Sequence, residues 1–439
     1  MNIKYEPTPK GHELWEVIND SETTQILFGG GAGSGKSFSI MASMILLCLT
    51  KPGIRLALCR KNYTTLRKTT MVSMYEVINK FGLRLDTDLK INGSSGNIKF
   101  ANGSEIIPIE LDWAPSEPNY ERLQGLLLTA AFIDEVGELV DEKGYNILAS
   151  RVGRWKNTEL SVKPMIVSTC NPSQNFLKEK FYDAWKRGTL PKHLKFIPAL
   201  ITDNPHMDKA YIENLKNSLD EFQLKRLLYG DWDYSNDDLD LFKFQDIKAM
   251  YVKNIDKGGE LYLSVDLAVS RDNTVGLLFR KDNDYMHVED IIVANRDISN
   301  DQFIKDMMNE YKIPQKNIIY DASGVGNDLR RMFPLAKPFA GNSKVVGKEN
   351  YQNIRHQCIF KLSKMVSENY VKMYTDKERG RLSSELQAHK RAAVVENRVK
   401  VIPKSEIKKN LGGASPDISD CFMMAMILWL KKSGKKQFA

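Results

Sequence analysis

The sequence predicts an α/β chain of two successive domains, and three observations carry that prediction. A glycine-rich stretch, Gly29 to Ser37, separates a short apolar run from a long apolar helical pattern. Residues 1–235 alternate β-like runs with helical patterns, the sign of a mostly parallel sheet. The polar segment Ser235-Asn236-Asp237-Asp238 then breaks the periodicity, and a second set of strands follows, two of them ending in aspartate. The expected divisions are a first domain over 1–235, a linker over 236–256 and a second domain over 257–439.

Composition narrows the class. The chain has 439 residues, 42% of them hydrophobic, enough for sizeable cores and too many for a disordered chain. A net charge of +8 suits a polyanionic partner. The cysteines, Cys48, Cys59, Cys170, Cys358 and Cys421, are scattered and form no CxxC pair, which argues against a disulfide framework or a zinc site and fits a reducing cytoplasm. Met1-Asn2-Ile3-Lys4 lacks the apolar core of a signal peptide. The longest apolar run, Cys421 to Leu430, is about half the length a membrane span needs and reads as a buried helix.

Within the first domain, Gly30-x4-Gly35-Lys36-Ser37 matches the phosphate loop of P-loop NTPases. Ile26-Leu27-Phe28 before it reads as a buried strand, and Ser37 to Leu49 after it reads as a helix. The bare backbone around Gly30, Gly31, Gly33, Ser34 and Gly35 lets N–H groups approach phosphate oxygens, and the helix N-terminus adds positive potential. Lys36 is expected to reach the β/γ-phosphates of ATP and Ser37 to ligate Mg²⁺.

Further along, Arg55 to Cys59 reads as a strand and Tyr63 to Phe81 as a helix. Gly96–Phe100 and Glu105–Ile109 read as a hairpin around Asn102-Gly103. The apolar strand Thr129 to Ile133 ends in Asp134-Glu135, a Walker B pattern: Asp134 holds the Mg²⁺ shell, and Glu135 orients and deprotonates the attacking water. A third apolar run, Met165 to Val167, leads into Ser168, Thr169 and Asn171, a polar cluster that can sense a γ-phosphate, although Asn171-Pro172 is also ordinary turn chemistry. Transition-state charge calls for an arginine; Arg122 is favoured, with Arg60, Arg151 and Arg154 as alternatives.

The second domain opens with Leu261 to Asp266, a strand ending in a carboxylate, followed by Asp272, a strand from Val275 to Arg280 and a third from Tyr285 to Val293. A helix near Asp301 to Tyr311 leads to Asn317–Asp321, again a strand ending in aspartate, and Ser323-Gly324-Val325-Gly326 turns the chain into a helix. Asp417 and Asp420 open the last apolar helix. Singly, each aspartate is good turn or cap chemistry. Together, in β-β-β-α-β-α order, three acidic clusters, at Asp266, at Asp321 and at Asp417 and Asp420, suit a ribonuclease-H-like site holding two Mg²⁺ or Mn²⁺ ions for phosphodiester hydrolysis. Basic residues crowd 379–410, including Arg379, Arg381, Lys390 and Lys404, and a hairpin is expected around Glu396-Asn397-Arg398 that could grip a DNA backbone.

Read in order, these motifs resemble the large subunit of tailed-bacteriophage terminases: the Gly-rich loop ending Ser34-Gly35-Lys36-Ser37, Arg122 before Ile133-Asp134-Glu135, Ser168-Thr169-x-Asn171-Pro172, Gly230-Asp231-Trp232, then spaced aspartates. The resemblance implies an additional-strand, RecA-like P-loop ATPase domain followed by a ribonuclease-H-like nuclease. It implies a motor that cuts concatemeric double-stranded DNA and pumps it into a procapsid, as a homo-oligomeric ring, expected to be a pentamer, on the portal protein. It further implies a small terminase subunit as partner, a finger role for Arg122 across the ring, nuclease metal ligation by Asp266, Asp321 and either Asp417 or Asp420 with Asp272 as a further ligand, and residence in the host cytoplasm and transiently at the portal, without a membrane. Relatives place an adenine-reading glutamine where this chain has Thr8-Pro9-Lys10-Gly11. Two other readings fit parts of the pattern: a helicase or repair ATPase with an attached nuclease, and a non-catalytic ATP-switched DNA-binding protein.

Overall fold

The computed structural model describes residues 5–113, 117, 119–139, 141–234, 239–253, 258–267, 274–294, 297–322, 326–392 and 398–430. The chain divides into two compact units, Met1–Tyr234 and Ser235–Ala439. Among the described residues no helix is long and apolar enough to cross a membrane.

The first unit is built on eight strands: β1 (Gln25–Gly30), β2 (Arg55–Arg60), β3 (Leu89–Ile91), β4 (Ile98–Phe100), β5 (Glu105–Glu110), β6 (Ala130–Ile133), β7 (Met165–Cys170) and β8 (Leu194–Ala199). Their order is β3-β4-β5-β2-β6-β7-β1-β8. From β5 to β8 all neighbours are parallel, so both faces must be covered, and the central strands β1, β6 and β7 are almost wholly buried. Strand β7 lies between β1, which carries the phosphate loop, and β6, which ends at Asp134; an inserted strand at this place is the additional-strand arrangement. The helix Lys36–Thr50 buries Ile40, Met44 and Ile45 with Phe28 on one face of the sheet, while Leu27, Ala131, Tyr145 and Trp232 fill the other.

Two details depart from the simple pattern. The helix expected over Tyr63 to Phe81 is interrupted by a π-turn at Leu66–Thr70 before it resumes at Met71–Lys80. Strand β8 escapes sequence reading because Pro198 lies in it; proline is tolerated there because β8 is an edge.

The end of the first unit is anchored by Trp232, whose ring stacks on Tyr182 (5.3 Å, 11°) and meets Phe196 edge-on at 5.6 Å. A side chain at Gly29 would come within 2.8 Å of Trp232, so the strand feeding the phosphate loop must be bare there. Beside it the buried Lys178 ammonium pairs with Asp183 and Asp233, each at 2.7 Å.

The second unit has six strands: β9 (Glu260–Asp266), β10 (Val275–Asp282), β11 (Tyr285–Val293), β12 (Ile318–Asp321), β13 (Lys337–Phe339) and β14 (Val371–Met373). Strands β9, β10 and β11 form an antiparallel meander, β12 runs parallel to β9, and β13 parallel to β12. The order β11-β10-β9-β12-β13 with these senses is the ribonuclease-H-like sheet, and β14 extends it beyond β11. Phe303 of the helix Asn300–Tyr311 packs against Gly276 on one face. The helices Ile354–Ser367 and Asp417–Ala425 cover Val275, Leu277 and Phe279 on the other.

The stretch expected to be a linker differs from that expectation over its centre. Leu241, Phe242, Ile247 and Met250 are buried in the second core, a helix spans Phe244–Ala249, and Met373 donates its N–H to the Met250 carbonyl. Apolar side chains spaced for burial pull this segment onto the second unit. Residues 235–238 and 254–257 lie outside the described residues.

Two outcomes follow from this packing. Trp232→Ala should cost about 3–5 kcal/mol of stability, read as a lowered midpoint in chemical denaturation of the full chain. In the second unit, His356 Nδ1 accepts the Val401 N–H at 3.1 Å, and burial, with Arg355 and Lys400 nearby, holds its pKa down at about 4. A depressed folded pKa means its contribution is present above the unfolded value of about 6.5 and is lost as pH falls towards 4. Replacing His356 by Gln should flatten the stability loss over that window by on the order of 1–2 kcal/mol, measured by denaturation at a series of pH values.

Candidate ATPase and nuclease sites

The phosphate loop leaves β1 through Gly30, where φ is +153° and a Cβ would lie 1.8 Å from the Ala199 carbonyl oxygen, so only glycine fits. Gly35 caps the following helix in the left-handed region at φ +82°. Asn204 Nδ2 ties the loop down by donating to the Gly33 carbonyl at 2.8 Å, and the Ser34 hydroxyl donates to the Gly31 carbonyl at 2.8 Å. Lys36 is buried, and its ammonium donates to the carbonyls of Gly30 (3.0 Å) and Gly31 (2.5 Å) and to Ser34 Oγ (3.0 Å). Burial lowers its pKa, against the opposing pull of Glu135 and Asp134.

Asp134, at the exit of β6, gathers three hydroxyls. Ser37 and Thr169 donate to its Oδ1 at 2.8 Å each, and Thr70 donates to Oδ2 at 2.8 Å. The Arg60 guanidinium stands 3.7 Å from Oδ2 while its other nitrogens hold Glu138 at 2.9 and 3.1 Å. The π-turn places Thr70 here, and π-turns recur where helices serve sites. No pattern in the sequence marks Thr70, because its role depends on that local irregularity.

Glu135 sits at φ +53°, a conformation that costs a non-glycine residue roughly 1–3 kcal/mol and that clusters at working sites. Its N–H donates to Thr169 Oγ1 at 3.1 Å. Its carboxylate accepts the Asn171 N–H at 2.8 Å and Asn171 Nδ2 at 3.3 Å, and burial raises its pKa. Lys36 also reaches Asn171 Oδ1, at 3.4 Å, so Asn171 bridges the lysine and the glutamate. Strand alternation brings Thr169 to this side and turns Ser168 to the other, where it is buried towards Tyr145. Ser168 therefore does not join the cluster that sequence placed it in.

Arg122 makes its contacts within this chain outside the phosphate loop. It pairs with Glu117 at 2.9 Å, donates to the Asp112 carbonyl and lies 5.4 Å from the Tyr120 ring. The arginine beside Asp134 is Arg60.

In the second unit, Tyr320 pairs with Val265 across β12 and β9, and one step further along that register are Asp321 and Asp266, the ends of neighbouring strands. Asp266 is buried, and its pKa is pushed well up, first by burial and then by Asp420, with Asp417 and Asp321 adding to it. The four carboxylates thus face one region. Asp417 and Asp420 lie in the first turn of the Asp417–Ala425 helix, each directed to its own cationic partners. Asp417 pairs with Arg381 at 3.1 Å. Asp420 pairs with Lys404 at 2.6 Å and Arg355 at 3.4 Å; burial opposes ionisation, but these cations hold its pKa below the ordinary carboxylate range. Asp272 lies outside the described residues.

Oxygen-only donors of this kind suit Mg²⁺ or Mn²⁺. Among the described residues, no three His, Cys, Asp or Glu side chains are drawn together closely enough to hold an ion. The reason is visible in the pairing: Lys404, Arg355 and Arg381 balance the charge and pull Asp420 and Asp417 towards themselves. Sequence read the basic run as a DNA-gripping surface, but part of it is internal. Arg381 is buried in the helix Arg379–Ala388 and is held by Glu385 at 2.9 Å, whose other oxygen accepts the Ser419 N–H at 2.7 Å. Lys390 pairs with Asp240. Of the expected hairpin, Arg391 bridges Val401, and residues 393–397 lie outside the described residues.

A family profile described as terminase large subunit, T4likevirus-type, N-terminal, matches residues 27–249, just over half of the chain. The chain belongs to the terminase large subunit family. No curated protein sequence matches this terminase subunit. Among solved structures it is similar to the large terminase of the thermophilic bacteriophage D6E in complex with ATP-gamma-S, at 15% identity and a TM-score of 0.43, covering 96% of this chain and 100% of that one. It is also similar to the HK97 bacteriophage large terminase, at 11% identity and a TM-score of 0.46, covering 96% and 95%. The nuclease domain of the large terminase subunit gp2 of bacterial virus Sf6 matches at 18% identity and a TM-score of 0.37, over 42% of this chain and 97% of that one.

Thr169 links Asp134 to Glu135, accepting one hydrogen bond and donating another. Thr169→Val keeps the shape and removes both, so it should destabilise the first unit by about 1–3 kcal/mol in denaturant titration.

Proposed function

We propose that this protein is a viral DNA-packaging motor with two separate active sites, an ATPase over 1–235 and a two-metal endonuclease over 257–439. The observation that carries the reading is that Lys36, Ser37, Asp134, Glu135 and Asn171 converge on one phosphate loop in a chain that also sets Asp266 and Asp321 at neighbouring strand ends.

In the first site Lys36 exchanges the carbonyls of Gly30 and Gly31 for the γ-phosphate of ATP, and the N–H groups at the helix start face the other phosphate oxygens. Ser37 and Asp134, already in contact, would hold Mg²⁺, which neutralises phosphate charge. Glu135, half-buried and with a raised pKa, is poised to take a proton from the attacking water once Asn171 releases it. Because Asn171 contacts both Lys36 and Glu135, movement of Lys36 towards phosphate loosens the clamp on the base. Arg122 acts across the ring on a neighbouring subunit's nucleotide, which accords with its contacts to Glu117, Asp112 and Tyr120, none of them in the phosphate loop.

In the second site Asp266, Asp321, Asp417 and Asp420, with Asp272, would hold two Mg²⁺ or Mn²⁺ ions, which activate water and stabilise the leaving oxygen. Lys404, Arg355 and Arg381 neutralise the carboxylates until the ions bind. The partners are double-stranded DNA, the portal protein, a small terminase subunit and further copies of this chain in a pentameric ring. The site of action is the host cytoplasm and the procapsid portal.

Lys36→Ala should abolish ATP hydrolysis and spare Mn²⁺-dependent nicking of plasmid, whereas Asp266→Ala should do the reverse. Loss of both activities in both folded variants would refute two separate sites. Duplex affinity should fall steeply with added salt, because phosphate contacts dominate; a flat salt profile in anisotropy titrations would argue against a backbone-gripping channel.

A further inference from the structure

Charge that develops on a transferring phosphoryl group is met by a positive side chain, and an arginine in that place is worth on the order of 10³–10⁵ in rate. Three arginines of the first unit are engaged elsewhere within this chain. Arg60 holds Glu138, Arg122 holds Glu117, and Arg151 donates to the Gln124 carbonyl and to Ser150 Oγ. A fourth, Arg226, is carried to the phosphate loop by a helix, Glu221–Leu227.

That helix ends on the loop itself. Its last carbonyl, that of Leu227, accepts the Ala32 N–H at 2.7 Å. Bare backbone permits the approach: a Cβ on Gly31 would lie 2.9 Å from the Leu227 oxygen, and one on Gly230 would lie 3.2 Å from the Gly31 nitrogen. The residue next to Arg226 in sequence is thus in contact with the phosphate cradle.

The Arg226 side chain reaches from this helix to the exit of β7. Its Nε donates to the Pro172 carbonyl at 2.9 Å, one residue beyond Asn171, which bridges Lys36 and Glu135. The guanidinium carbon lies 5.6 Å from the Tyr234 ring, and Phe222 meets that ring edge-on at 5.2 Å. The charge is felt at the site: burial and Glu135 push the Cys170 thiol pKa up, while Lys36 and Arg226 oppose them. Arg226 is half-buried and pairs with no carboxylate among the described residues. Its Nε is committed, and its two terminal nitrogens keep the planar fork that matches phosphate oxygens.

A guanidinium tied to the turn after Asn171, on the helix that closes onto the phosphate loop, is placed for the outermost phosphate of a bound nucleotide. We propose that Arg226 grips the γ-phosphate of ATP in its own chain and stabilises the charge on it during hydrolysis. The inference rests on the ATPase reading of the first unit and adds a residue that works in cis, beside Arg122 from a neighbouring subunit. The reaction keeps its balance: the water oxygen bonds to the γ-phosphorus, the bond from that phosphorus to the β–γ bridging oxygen breaks, and the water proton passes to Glu135. A contact made with the γ-phosphate alone distinguishes ATP from ADP.

The test uses the full chain with Mg²⁺ and two fluorescent nucleotides, mant-ADP and the non-hydrolysable mant-AMP-PNP, alongside steady-state ATP hydrolysis. Arg226→Gln keeps a donor for the Pro172 carbonyl and removes the charge. It should weaken mant-AMP-PNP binding about tenfold, in line with the loss of one charged hydrogen bond, and leave mant-ADP affinity at the wild-type value. It should also lower kcat by on the order of 10³. The ratio of the two affinities within one variant does not depend on the fraction of chain that folds. Arg226→Lys, which keeps the charge and loses the fork, should fall between the wild type and Arg226→Gln. Mixing Arg226→Gln with Lys36→Ala should restore no hydrolysis, because the site of each chain stays incomplete. Equal loss for both nucleotides overturns the proposal and leaves Arg226 as a staple of its helix, and restored hydrolysis in the mixture overturns its action within one chain. A wild-type chain that binds neither nucleotide refutes the ATPase reading itself, whereas wild-type binding with an unchanged ratio in Arg226→Gln refutes this inference alone.

Discussion

The first unit depends on one buried carboxylate. Asp134 would be prohibitively expensive below the surface if it stood alone. Hydroxyls from Ser37, Thr70 and Thr169, with the Arg60 guanidinium behind them, make its charge tolerable. Each donor comes from a different piece of chain: the phosphate-loop helix, the π-turn, the inserted strand and the end of β2. The carboxylate therefore fixes the mutual position of four elements, and the place of the phosphate loop relative to Glu135 follows from it. The sheet order makes this possible, because β7 between β1 and β6 delivers Thr169 and Asn171 to the same edge.

The second unit solves a related problem by a different route. Its carboxylates stand at two strand ends and one helix start, where repulsion among them would open the fold. The structure counters this with cations drawn from elements distant in sequence: Arg355 from the helix Ile354–Ser367, Arg381 from Arg379–Ala388, and Lys404 from Lys404–Asn410. Glu385 then orients Arg381, and the Ser419 N–H orients Glu385, so a buried chain of hydrogen bonds runs behind the acidic cluster. Positioning of this sort leaves side chains restrained before any ligand arrives.

Much of this was legible in the residues because it rests on local pattern. Gly30 to Ser37 carries both the backbone freedom and the chemistry of its loop, and Ile133-Asp134-Glu135 and Tyr320-Asp321 read directly as strands with acidic exits. What escaped reading depends on context. Thr70 reaches Asp134 only because a π-turn rotates it there, and no propensity marks such a turn. Ser168 and Thr169 look equivalent in sequence, yet alternation along β7 separates them by a whole sheet face. Arg381 reads as one more surface cation in a basic run, and only the packing of its helix against Asp417 makes it internal. Leu241 to Met250 reads as a connection because polar residues precede it, whereas its apolar positions commit it to the second core.

The pairing of Asp417 and Asp420 with arginine and lysine has a consequence for handling and for folding. Domains whose ligands are held together by an ion usually come apart when it is withdrawn. Here Lys404, Arg355 and Arg381, cations of the polypeptide itself, already pair with Asp420 and Asp417, so the placement of those two carboxylates does not depend on an ion. Treatment with a chelator is therefore expected to leave the shape of the second unit intact.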